Sequence, residues 1–211
     1  YTHGHADHVG GSGAFAADAA DAGRARPRVV GHENVGARFD RYALTSGWNR
    51  LINARQFGGV AAELQLGEAA GGPAGRFLPS ETLRPDETFG LDHDLRFGDH
   101  LVALHHARGE TDDHLWAFVP DRKWLFAGDF VIWNFPNAGN PQKVQRYPIE
   151  WAAALRAMIA AGPELLVPAH GLPIEGADRI ARVLDDIATV LERLVADTLE
   201  RMNAGQTLDR I

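Results

Sequence analysis

The sequence predicts an α/β fold organised around a metal-binding cradle, and three observations carry that expectation. The opening stretch, YTHGHADHVGG, packs His3, His5, Asp7 and His8 into six consecutive positions. Short apolar runs with strand character at residues 28–31, 115–119, 124–127 and 165–167 alternate with stretches of helical periodicity. The last stretch, from Ile180 to Met202, repeats apolar residues every three or four positions, which is one stripe on a long helix of about residues 177–203.

The cluster is the most informative part. Imidazole nitrogen and carboxylate oxygen form the donor set that suits zinc, iron or manganese, whereas structural zinc sites more often use thiolates. This chain has no cysteine, which also excludes disulfides and thiol chemistry. In an extended backbone alternate side chains share a face, so His3, His5 and Asp7 are expected to point together. His8 then enters from another direction, which suits a second metal. A His-rich surface tract is the plainer alternative, but such tracts seldom carry an interspersed Asp and run into a Gly-Gly turn.

Taken in order, Ser12 is placed to cap an Ala-rich helix over residues 13–22, and a short buried strand follows at 28–31. His32, at the end of that strand, reads as a partly exposed structural histidine. Residues 33–75, with Trp48, Asn49, Asn53, Arg55, Gln56 and Phe57, read as a long connection over a pocket or as ordinary loop packing, and 71–75 as a Gly/Pro-rich break. A β-rich block covers 83–89, 94–97, 101–105, 115–119 and 124–127, read as a second sheet, with Pro120, Asp121 and Arg122 marking a hairpin. An amphipathic helix at 149–161 ends at Gly162 and Pro163, and a strand at 165–167 leads to His170. The terminal stripe is expected to dock on a sheet or on a partner subunit, in the latter case making a homodimer.

Composition narrows the function classes. With 211 residues, 45% of them hydrophobic and 23% charged, the chain has the balance of one globular domain over 1–211. A net charge of −7 argues against nucleic acid as a partner. No apolar run reaches the roughly 18 residues of a membrane-spanning helix, so no membrane partner is expected.

HGHADH matches the H-x-H-x-D-H signature of the metallo-β-lactamase fold, and THGHADHVGG resembles the alkylsulfatase branch of that family most closely. The resemblance implies a four-layer αββα sandwich. Because the chain opens with Tyr1 and the motif stands at once, it is expected to be a fragment incomplete at both termini. The resemblance also implies later ligands: LFAGD supplies Asp129 and LLVPAHG supplies His170. Aligning HARGETDDH with H-T-P-G-H-T-P-D-H sets Glu110 where a ligand histidine usually stands, with His105 and His106 as rivals. A glutamate there is the alkylsulfatase pattern.

The implied site is dinuclear. His3, His5 and Glu110 hold one ion, and Asp7, His8 and His170 hold the other. Asp129 bridges, since an anion lowers the repulsion of dications about 3.5–4 Å apart. Two zinc ions per chain are expected, with iron or manganese open. Catalysis falls to Asp7 and Asp129 with a metal-bound hydroxide, and Lys143 and Arg146 are candidates to grip an anionic head. The implied reaction is hydrolysis of a small-molecule ester, such as a sulfate ester. The alternatives are lactones, thioesters, phosphodiesters or β-lactams on the same site, or a non-catalytic interaction domain of the same fold.

Overall fold

The computed structural model describes residues 1–57, 76–139 and 144–211. These residues form two compact units, Tyr1–Gly90 and Leu91–Ile211. The expected break at 71–75 and Lys143 lie outside the described residues.

In the first unit the cluster leads into a single helical turn, α1 (Ala6–Val9), and then α2 (Ser12–Asp21). Ser12 is not the cap expected of it: Gly11 occupies that position, and the Ser12 hydroxyl accepts a hydrogen bond from the Leu83 amide at 2.9 Å. A long-range backbone partner has taken an oxygen that local reasoning assigned to the helix end. Strand β1 (Val30–His32) pairs in parallel with β2 (Glu87–Phe89), in the register Val30 to Glu87 and His32 to Phe89. Residues 83–89 therefore supply the partner of β1, not a strand of the second sheet.

The connection expected at 33–75 is helical over its described part, as α3 (Asn34–Leu44) and α4 (Ser46–Phe57). Val35, Phe39 and Tyr42 recur at helical spacing and are buried, which is why α3 forms. Val9, Val35 and Phe39 make a small core closed by Tyr1 and Leu78. His32 is structural but buried, not partly exposed, because both ring nitrogens are taken by backbone: Nδ1 accepts from the Asn34 amide at 3.2 Å, and Nε2 donates to the Gly90 carbonyl at 3.0 Å.

The second unit is a six-stranded sheet in sequential order: β3 (Asp92–Phe97), β4 (His100–His106), β5 (Leu115–Val119), β6 (Trp124–Ile132), β7 (Leu165–His170) and β8 (Ile174–Glu175). The first four strands make an antiparallel meander, and β5 and β6 meet through the hairpin at Pro120–Lys123, where the Arg122 amide donates to the Val119 carbonyl at 3.1 Å. β6 and β7 are parallel, so the chain crosses over between them through α5 (Pro148–Ala160). Pro148 opens that helix, where its missing N–H costs nothing.

The last helix, α6 (Ala177–Asn203), packs chiefly on α5, with lesser contacts to β7 and β8. Its stripe is buried only at Ile180, Leu184, Ala188 and Leu191, while Leu194, Leu199 and Met202 are exposed. A helix of 27 residues runs about 40 Å, roughly twice the length of the 13-residue α5 on which it packs. The core of this unit joins Leu125, Phe130, Trp151, Leu155, Met158 and Leu166 to the buried positions of α6. No helix among the described residues is long and apolar enough to cross a membrane.

The α5–α6 seam has an apolar centre and a polar rim, and the two differ in energetic weight. Leu184→Ala, at a fully buried position, should cost about 2–5 kcal/mol in a denaturant titration. Arg156→Ala removes contacts to Asp185, Thr189 and Glu192, but at this solvent-exposed site it should cost only about 1 kcal/mol or less.

Candidate metal centre

The amino-terminal donors sit where an extended segment turns into α1. His3 is fully buried, and its Nε2 lies 3.0 Å from Nδ1 of His5. At least one of the two facing nitrogens must be deprotonated at that distance, the state a metal ligand requires. The ring of His3 also lies 4.2 Å from that of His8, centroid to centroid. Asp7 and His8 belong to the turn, not to the extended stretch, so the expectation that Asp7 shares a face with His3 and His5 by strand alternation does not hold. The turn is closed by the His8 and Val9 amides on the His5 carbonyl, at 3.0 and 3.2 Å.

Asp7 and His8 are themselves neighbours, with Oδ2 and Nε2 3.3 Å apart. Partial burial would raise the Asp7 carboxyl, but the hydrogen bond and charge of His8, with the charge of His5, hold it below its ordinary value. Asp7 is therefore an anion, able to bind a cation or accept a proton.

In the second unit the donors sit at strand ends. The ladder between β6 and β7 is irregular around Gly128, whose φ of 53° a side chain would resist. That irregularity sets Asp129, which is buried, off the regular pleat. The Asp129 amide donates to Nε2 of His114 at 3.1 Å, which places the proton of that imidazole on Nδ1. His114 stacks on Phe130 with centroids 4.0 Å apart and planes 7° from parallel, and the Phe130 carbonyl accepts from the Trp151 indole at 3.0 Å.

Glu110 brings a carboxylate oxygen within 4.8 Å of one from Asp129. Its carboxyl is raised to about 7, first by burial and then by the hydrogen bond with Asp129, with Arg146 pulling the other way. Gly109 is needed just before it, because a Cβ there would stand 2.6 Å from the Phe130 ring. His170 ends β7 with Nε2 3.6 Å from Oδ1 of Asp129. The donors of both units are imidazoles and carboxylates without a thiol, a set that fits zinc, iron or manganese.

The rival histidines are engaged elsewhere. His106 donates from Nδ1 to the His114 carbonyl at 2.8 Å, and His105 meets Asp92 at 2.7 Å on the sheet surface. Arg146, expected to grip a substrate anion, forms an ion pair with Glu110. His114 carries no role in the motif reading, although it closes the segment HARGETDDH. The signal available for it was that final histidine, four residues after Glu110.

The Metallo-beta-lactamase superfamily model matches residues 1–170. A Linear primary-alkylsulfatase from Pseudomonas sp. (strain ATCC 19151) is 25% identical over 216 residues, which span 100% of this chain and 41% of that protein. Among solved structures, a double mutant of the sec-alkyl sulfatase PisA1 is 20% identical with a TM-score of 0.78, covering 100% of this chain and 34% of its own. The stereoselective inverting sec-alkylsulfatase Pisa1 from Pseudomonas sp. is 19% identical with a TM-score of 0.75, covering 99% and 34%. A metallo-beta-lactamase family protein from Thermus thermophilus is 22% identical with a TM-score of 0.53, covering 92% and 60%. The chain thus spans less than half the length of the alkylsulfatases it matches. With the family model matched over most of its length and this fold shared throughout, the chain belongs to the metallo-β-lactamase superfamily.

Proposed function

We propose that residues 1–211 act as one hydrolase domain with a dinuclear metal centre that cleaves sulfate or related esters. The observation that carries this reading is the close pair of Asp129, which is buried, and Glu110, whose side chain is only 14% exposed. Two carboxylates in one buried place repel unless a proton or a cation lies between them, and a family of this kind recruits cations. His3, His5 and Glu110 would hold one ion, Asp7, His8 and His170 the other, and Asp129 would bridge. Zinc is the first choice, with iron or manganese compatible with the oxygen-rich shell. When bound, the ions would supply an acidified water and a Lewis acid towards the anionic oxygen of the substrate.

The remaining work falls to side chains. Asp7, whose carboxylate lies 3.3 Å from the His8 ring, would orient the attacking water and offer a site for its proton. His114 fixes the Asp129 backbone through its amide, which sets where that side chain leaves the strand. An alkyl sulfate is the substrate class suggested by the names of the similar alkylsulfatases. Lys143, which lies outside the described residues, is the candidate that the sequence offers for holding its anionic head.

Elemental analysis of the purified protein should find two metal ions per chain. Glu110→Gln should retain about one, while His106→Ala should retain both; the reverse pattern would move the ligand assignment to His106. Sulfate release from alkyl sulfates should exceed turnover of lactones and phosphodiesters, and the opposite ranking would replace the sulfate ester by another substrate on the same centre.

The metal-free protein should also show a pH dependence of stability. The Glu110 carboxyl is raised from 4.5 to about 7 in the folded state, so between those values the folded chain binds more protons than the unfolded one. Stability should therefore fall as pH rises from about 4.5 to about 7, by on the order of a few kcal/mol at most, and level off above. Urea melts in chelator at about pH 5 and about pH 8 would read this difference. It should shrink in Glu110→Gln, and an unchanged difference there would assign it to another group.

A further inference from the structure

The ion pair between Arg146 and Glu110 joins two segments far apart in sequence, and it does not stand alone. The Tyr147 amide donates to the Gly109 carbonyl at 3.0 Å, and the Arg108 guanidinium lies 5.3 Å from the centre of the Tyr147 ring. Residues 108–110 and 146–147 are thus fastened by three adjacent contacts. The side chains of Arg146 and Glu110 are only 10% and 14% exposed.

The second of these segments is anchored in turn. Tyr147 precedes α5 directly, and its carbonyl accepts from the Trp151 amide at 2.8 Å. The Trp151 indole holds the Phe130 carbonyl, next to Asp129. Arg146 therefore stands two residues before a helix whose first turn is tied to the strand that carries Asp129.

We propose that Arg146 is a positioning residue that aims the Glu110 carboxylate at its metal, and not a grip for the substrate anion. This rests on the reading of Glu110 as a metal ligand. A carboxylate has acceptor sites on both oxygens, so an arginine holding Oε1 in a fixed direction leaves acceptor capacity for a cation. The guanidinium also offsets the charge that a glutamate brings to a position where the commoner family pattern has a neutral histidine. Carboxylates that ligate metals are generally hydrogen-bonded by outer groups, whose loss weakens metal binding by about 10- to 100-fold.

The test measures zinc affinity site by site, by competition against a chromophoric chelator, in Arg146→Gln, Arg146→Lys, Glu110→Gln and the double variant Glu110→Gln with Arg146→Gln. Arg146→Gln should weaken one of two zinc sites by about 10- to 100-fold. Arg146→Lys, which keeps the charge but not the planar fork, should recover part of that loss. The double variant should bind zinc no more weakly than Glu110→Gln alone, because both changes act through one carboxylate. If both zinc affinities survive Arg146→Gln while KM for an alkyl sulfate rises, the arginine grips substrate and the proposal is wrong. Should Arg146→Gln not fold, the test passes to Arg146→Lys: two wild-type zinc affinities there, with a raised KM for an alkyl sulfate, would overturn the proposal equally. If Glu110→Gln alone leaves both affinities intact, the assignment of Glu110 as a ligand fails, a result distinct from the failure of the arginine.

Discussion

The second unit is arranged around a repulsion that has to be contained. Glu110 and Asp129 are both acidic, both largely withdrawn from water and within 4.8 Å of each other. In a medium of lowered dielectric such a pair cannot stay doubly ionised without compensation. In the polypeptide itself the compensation comes from Arg146 on Glu110, and from burial and the hydrogen bond with Asp129, which raise the Glu110 carboxyl towards neutrality. A site that needs positive charge so strongly is predisposed to take up cations.

Several local features of the sheet follow from holding that pair in place. The irregular register in β6 and the positive φ of Gly128 set Asp129 off the regular ladder. His114 clamps the Asp129 amide, and its ring is stacked on Phe130, against which the bare backbone of Gly109 also packs. Trp151 then binds the Phe130 carbonyl from α5. The chain of contacts runs from the core helix to the acid, so packing in the apolar core and the geometry of the carboxylates are linked by direct contact.

The amino-terminal donors solve a different problem with a different device. There the crowding is of imidazoles, and a change from extended backbone to a helical turn between His5 and Ala6 directs the four donors. His3 and His5 approach through their nitrogens, while Asp7 and His8 pair on the turn. An anionic Asp7 beside these rings favours positive charge nearby, either as protonated histidine or as a metal.

By itself the sequence determined the identities and order of the donors, because a metal motif is a matter of residue type at short spacing, and His3, His5, Asp7, His8, Asp129 and His170 can all be picked out from local segments. It likewise determined the hairpin at Pro120 and the extent of the last helix, where turn chemistry and a long unbroken period speak plainly. The helix Asn34–Leu44 was also legible, in the spacing of Val35, Phe39 and Tyr42, but polar and aromatic residues around Trp48 weighed the reading towards a loop. Only the tertiary structure decided that Ser12 serves the Leu83 amide, that β1 pairs with a strand more than fifty residues away, and that Arg146 meets Glu110. Each of these depends on which distant segment arrives beside a residue, and neither propensity nor spacing along one stretch of chain carries that information.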